Sequence, residues 1–302
     1  MSTRADVLIA VDELPAALAA GGQLLDVRWR LGERAGAGFD RYLQGHLPDA
    51  RFLDLEAVLT GPTTDPTLGR HPLPGIDQLG AGLGALGIDP ALPIVVYDEP
   101  GSFAAGRAWW VLRWAGLDVR VLDGGIAAWV AAGNLLETEE PPSAFGPPLA
   151  LTPGHLPTLD ADGVAAFDGT LIDVRAPERY RGEVEPIDAK AGHVPGAVNR
   201  PVGGYWTSDG TLPGESELRG LLALPLSTIP EEGAERPSSS TIPEEGAERP
   251  SRRVAVYCGS GVSAAQVVLA LASIGVDAAL YPPSWSGWSA DPTRPVAVGT
   301  QA

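Results

Sequence analysis

Short apolar runs of four to six residues alternate along the chain with longer stretches of helical periodicity. LLDV, IVVY and VRVL in the first half, and TLIDV, VAVYC and AALY in the second, show little alternation of apolar and polar positions. Strands of that kind are buried on both faces, as in a parallel sheet covered by helices. The pattern predicts an α/β protein, with a mainly parallel sheet flanked by helices in each half. One run, Val254 to Val276, holds 23 uncharged residues and is long enough to cross a bilayer. Gly259, Ser260, Gly261 and Ser263 interrupt it, so it reads as strand, tight loop and buried helix.

The two halves repeat each other. LLDVRW at 24–29 answers LIDVRA at 171–176, GHLPDARFLDL at 45–55 answers GHVPGAVNRPV at 192–202, and IVVYD at 94–98 answers VAVYC at 254–258. Asp26 precedes His46 by 20 residues, and Asp173 precedes His193 by the same 20. A shared spacing of that length marks duplicated units of one fold. The proline-rich acidic stretch around 137–157 is the natural linker. The expected organisation is a first domain at 1–140, a linker at 141–156 and a second domain at 157–302.

A second repeat is unrelated to the first: STIPEEGAERPS occurs at 227–238 and again at 240–251. It reads as a low-complexity surface insert at 227–251. His46 to Asp98 is 52 residues and His193 to Cys258 is 65, so the excess of 13 equals one repeat unit and points to a tandem duplication. Loop closure costs little more for a longer loop. Deleting Ser227 to Ser239 is therefore expected to leave melting temperature and turnover almost unchanged, and a large loss of either would give the insert a role.

With 302 residues the chain is long enough for two cores. Its 38 acidic and 21 basic residues give a net charge of −17, which repels phosphate backbones and anionic headgroups. Nucleic acid and membrane surfaces are thereby disfavoured as partners. The N-terminal stretch has charges at Arg4, Asp6, Asp12 and Glu13 and no apolar segment of signal-peptide length. A single cysteine, Cys258, allows no internal disulfide and fits a reducing compartment, with the cytoplasm as the default. Four scattered histidines form no ligand cluster, so no metal is expected.

Cys258 ends a predicted buried strand and opens the loop CGSGVSA, which runs into a helix. The amides of a tight glycine-containing loop and of a helix start converge on one point, a site for a negative atom such as a thiolate. An ordinary cysteine is only a few per cent ionised at pH 7, so such a cradle activates it. A cysteine phosphatase would need an arginine where Ala264 stands, and no phosphate-binding GxxxxGK[ST] sequence is present. No histidine base lies near Cys258 in sequence, and the loop carries no cation. An anionic substrate must find its charge partner elsewhere in the fold.

Taken together, these motifs resemble the tandem-domain rhodanese-type sulfurtransferases, and the uncharged CGSGV loop is similar to that of the 3-mercaptopyruvate sulfurtransferases. The resemblance covers nearly the whole chain, including LDGGIAAW at 122–129, ERYRGEVEP at 178–186 and YPPSWSGW at 281–288. It implies two rhodanese-like domains, the catalytic cysteine in the second, and Asp98 marking the first as non-catalytic. By the same resemblance Cys258 is the nucleophile that becomes a persulfide, and Arg179 holds the substrate carboxylate. A second arginine of some relatives is replaced by Ile187, with Arg181 as its substitute. Ser260 and Glu56 match a catalytic relay, His71 a histidine near the domain interface, and Gly259, Gly261, Val262 and Ser263 the substrate-binding loop. The implied reaction moves sulfur from 3-mercaptopyruvate to cyanide or a thiol acceptor, a thioredoxin-like protein among the candidates, without a cofactor. Thiosulfate:cyanide sulfurtransferase and a non-catalytic binding module on the same fold are the alternatives. Asp26, Arg28, Asp173 and Arg175, present in both halves, are expected to be structural ion pairs, His46 and His193 packing residues, and Trp285 and Trp288 candidates for the cleft wall.

Overall fold

Both sheets are wholly parallel in their strand pairings in the computed structural model, which describes residues 2–142, 144–222 and 253–300. The first sheet contains β1 (Leu8–Ile9), β2 (Gln23–Asp26), β3 (Arg51–Phe52), β4 (Ile94–Tyr97) and β5 (Val119–Leu122), ordered β1-β5-β4-β2-β3. The second contains β6 (Thr170–Asp173), β7 (Val198–Asn199), β8 (Val254–Tyr257) and β9 (Ala278–Leu280), ordered β7-β6-β8-β9. Residues of β4 and β8 are buried throughout, as their uninterrupted apolar sequences require. The insert at 227–251 lies outside the described residues.

The repeat is reproduced in register. Asp26 stands opposite Tyr97, and Asp173 opposite Tyr257, each pair at the carboxyl end of its strands. The duplicated polar residues form the same buried network in both halves. Arg28 pairs with Asp26 at 2.7 Å and Arg175 with Asp173 at 2.6 Å, and each arginine also donates to a glycine carbonyl, Gly45 or Gly192. His46 and His193 stack on Tyr42 and Tyr180 and hydrogen-bond their carbonyls through Nδ1. A buried carboxylate held this way carries its charge at low cost only while both partners remain.

Chain order decides where the second sheet opens. From β6 the chain goes to β7 on one side and then to β8 on the other, so the strand order switches between β6 and β8. In open parallel sheets the crevice outside the carboxyl ends at such a switch is the natural ligand site. The residues after β6 and β8 are Val174 and Cys258.

The two halves share apolar packing. Helix Ala104–Trp114 follows β4, helix Val262–Ala272 follows β8, and the two lie against each other within one continuous core. Gly106 makes the approach possible, since a Cβ there would lie 1.9 Å from Gln266 Oε1. Segment 146–149 continues the first half's packing, its amides at Gly146 and Leu149 donating to the carbonyls of Gly84 and Gly80. Trp285 and Trp288 correct one expectation. Both are fully buried, their indole N–H groups donating to Lys190 and Pro295 carbonyls, and they support the second sheet instead of lining the cleft.

Candidate active site

Strand β8 ends one residue before Cys258, and the chain turns through Gly259, Ser260 and Gly261 into helix Val262–Ala272. The amide of Gly261 donates to Cys258 Sγ at 3.1 Å. That bond needs φ +83° at Gly261, and a Cβ there would sit 2.5 Å from the Pro282 carbonyl, so only glycine fits. From the other side Ser284, itself at φ +53°, accepts from the Cys258 amide at 3.2 Å and donates to the Tyr281 carbonyl at 3.0 Å, with its oxygen 4.0 Å from Sγ. The amides of Trp285 and Ser286 tie the YPPSWSGW segment to the carbonyls of Cys258 and Gly259. The sulfur thus lies among these polar groups, on a residue 2% exposed, at the floor of a cleft.

The cleft has a volume of about 460 Å³ and draws its walls from both halves. Cys258, Gly259, Ser260, Val262, Ser263 and Arg179 face it from the second half. Trp29, Arg30, Arg70 and Phe103 close it from the first. A Cβ on Gly259 would meet Arg70 Nη2 at 3.0 Å and Arg179 Nη1 at 3.6 Å, so two guanidiniums hang directly over the loop that carries the sulfur. Asp188 joins them, paired with Arg70 and, at 2.9 Å, with Arg179, while Glu185 holds Arg179 at 2.6 Å. Burial pushes the Asp188 carboxyl above its ordinary value, against the pull of Arg70.

Arg70 and Ser284 also stand at the sulfur loop, Arg70 over Gly259 and Ser284 on the Cys258 amide. Arg70 is the neighbour of His71 in GRHPLP, and Ser284 lies inside the quoted YPPSWSGW; each had a sequence signal without a tertiary address. Arg181 is placed elsewhere. It is outside the cleft and bonded to Glu183 at 2.7 Å, because two residues along a helical turn rotate a side chain about 200° away from Arg179. Glu56 accepts from Trp29 Nε1 at 2.9 Å and shares a 3.2 Å bond with His71 Nε2. The bond from His71 holds its carboxyl below the usual range. Neither Glu56 nor His71 lines the cleft, and Glu56 makes no hydrogen bond to Ser260 among the described residues; its link to the cavity is the Trp29 indole.

In the first half Asp98 occupies the place of Cys258. Its Oδ2 accepts from the Ala105 amide at 3.0 Å, seven residues on and inside helix Ala104–Trp114, whereas the sulfur of the second half is held three residues on by the turn. The residue is only partly buried, but its carboxyl is desolvated, and burial pushes it up to about 6. A carboxyl raised on folding contributes stability that is complete below its ordinary value and is lost as pH climbs through about 6. Asp98→Asn is expected to stabilise the protein at pH 7 by about 2 kcal/mol, with the gain shrinking toward pH 4. Thermal melts at the two pH values check it, and a pH-independent difference would contradict the linkage.

Two parallel sheets, each with a strand-loop-helix unit after its central strand and one of them holding a cysteine there, match the rhodanese-like domain family, whose sequence profile fits residues 10–132 and 158–291. The chain belongs to that family as a tandem of two domains. Among its relatives is SseB of Mycobacterium tuberculosis, provisionally named a thiosulfate sulfurtransferase. It is 45% identical over 307 residues, spanning 99% of this chain and 100% of that one. The 3-mercaptopyruvate sulfurtransferase of Escherichia coli K12 is 34% identical over 264 residues, 84% of each chain. Among solved structures, SseA from Escherichia coli, described as a 3-mercaptopyruvate sulfotransferase of rhodanese fold, superposes with a TM-score of 0.74 at 28% identity, covering 92% of this chain and 98% of the other.

Proposed function

We infer that the protein is a sulfurtransferase that moves sulfane sulfur from 3-mercaptopyruvate to a thiol acceptor or cyanide through a persulfide on Cys258. The observation that carries this reading is the Cys258 sulfur, held by the Gly261 amide beneath two arginines in a cleft between the halves.

The residues supply the steps. Glu185 and Asp188 hold Nε and Nη2 of Arg179, which leaves Nη1 over Gly259 to anchor the carboxylate of the keto acid by a charge-assisted bond, with Arg70 as the second cation in place of Arg181. The Cys258 thiolate attacks the substrate sulfur. The C–S bond breaks, its electron pair passes to carbon as the enolate of pyruvate, and the sulfur remains as Cys–S–SH. That proton moves to the enolate carbon, through Ser260 or a water, leaving pyruvate and the persulfide anion. The Gly261 amide, donating to Sγ from the loop, favours the anionic forms. The acceptor thiol or cyanide then takes the outer sulfur. Glu56 acts at one remove, fixing the Trp29 wall and His71.

Thiosulfate is a second reading with a specific observation behind it, since Arg70 beside Arg179 supplies the two cations a compact dianion requires. Parallel assays of kcat/KM for mercaptopyruvate and thiosulfate decide between them, and a strong excess for thiosulfate reverses the order. Arg179→Ala and Arg70→Ala should each raise KM for mercaptopyruvate about 10-fold or more, with Arg181→Ala near wild type. Equal effects at Arg179 and Arg181 would overturn the placement. The division at 141–156 and the cytoplasm as a reducing setting for the single thiol complete the proposal. No helix among the described residues is long and apolar enough to cross a membrane.

A further inference from the structure

Helix Ala104–Trp114 of the non-catalytic half carries one arginine on its fully buried face. Arg107 is 0% exposed and has no carboxylate partner among the described residues. Its Nη2 donates to the carbonyls of Leu59, His71 and Pro72 at 3.2, 3.0 and 3.1 Å. Nε and Nη1 have no hydrogen-bond partner among the described residues. A buried cation without an ion pair is costly, and structures keep one where its charge is used. Nη1 points at the catalytic turn, 3.4 Å from where a Cβ on Gly261 would stand, and Gly261 is the residue whose amide holds Sγ. Burial lowers the guanidinium to about 10, and the two anions that work against that loss are Cys258 and Glu56.

Accepting Cys258 as the sulfur carrier, we propose that Arg107 is the cation that holds the negative charge of the Cys258 sulfur, thiolate before transfer and persulfide anion after it, from beneath the turn at Gly261. The charge missing from the CGSGV loop is supplied by the other half of the chain. Arg107 is a positioning residue: it acts on the sulfur through the loop and leaves the substrate to Arg70 and Arg179. The arrangement makes helix Ala104–Trp114 a working part of the site, and it accounts for a guanidinium in a sequence, AAGRAWWVL, that is otherwise apolar. The other charges around the sulfur are Arg30, Arg70, Arg175 and Arg179 in the cleft wall, with Asp188 and Glu185 bound to the last three, and Glu56 in the first half.

The test is the pH profile of Cys258 alkylation by iodoacetamide, read by whole-protein mass, since the chain has one cysteine. Arg107→Gln should displace the profile upward by about one pH unit, and Arg107→Lys should stay close to wild type. A folded Arg107→Gln protein with the wild-type profile would overturn the proposal. Should that variant not fold, the wild-type protein still answers. The Arg107 Nε–H resonance, assigned by its loss in Arg107→Lys, should shift with the alkylation profile and cease to do so once Cys258 is alkylated. A resonance indifferent to both refutes the coupling. Persulfide formation, a gain of about 32 Da after mercaptopyruvate, is scored separately, so failure of the sulfur-transfer reading is distinguishable from failure of the Arg107 coupling.

Discussion

Cys258→Ser should abolish sulfur transfer, with kcat/KM down by about 10,000-fold or more and the 32 Da adduct absent. The serine oxygen can take the Gly261 amide bond in place of Sγ, and Ser284 remains in reach, so the fold should survive with a melting temperature close to wild type. What is lost is chemical. A hydroxyl is un-ionised at neutral pH and cannot accept sulfane sulfur as a polarizable thiolate does. Steady-state assay together with intact mass checks both parts. Residual sulfur transfer by the serine variant, which has no thiol left, would mean that the reaction needs no persulfide at this position, and would overturn the reading of the cleft.

Arg175→Met should be the most destabilising of the single changes considered, at about 3–5 kcal/mol, which corresponds to a fall in melting temperature of about 10 °C. Asp173 is 0% exposed and receives both Nε and Nη2 of Arg175, whose guanidinium also lies 4.5 Å from the Trp285 ring. Methionine fills much of the volume and leaves the carboxylate buried without its counter-charge. Asp173→Asn in the same chain should recover part of the loss, because the uncompensated charge goes with it. Arg28→Met is the internal control. It breaks the equivalent pair in the half without the cysteine, so a comparable thermal cost is expected while Cys258 still forms its persulfide at low temperature. A melting temperature unchanged by Arg175→Met would mean that the network is solvated in solution.

The elements were legible to the extent that they are encoded locally. Buried strands announce themselves as IVVY and VAVY, the Asp–Val–Arg triplets recur at one spacing, and a glycine-spaced cysteine between strand and helix implies an amide cradle. Residues whose roles depend on direction were less legible. Arg179 and Arg181 look alike in ERYRG, and only the helical turn sends one into the cleft and the other to Glu183. Trp285 and Trp288 carry no mark that separates a cleft wall from a core, and the packing of their segment under the sulfur loop puts them inside. Arg70 and Arg107 lie 188 and 151 positions before Cys258 and reach it through the packing of one half on the other.

By itself the amino-acid sequence determined two copies of a parallel α/β unit, the single cysteine and the glycine turn that carries it, because hydrophobic period, turn glycines and duplication act between near neighbours. Tertiary structure alone decided which cations stand beside the sulfur loop. Electrostatic partners are chosen by distance in space, and the guanidiniums nearest the catalytic turn from across the interface belong to the half that has no cysteine.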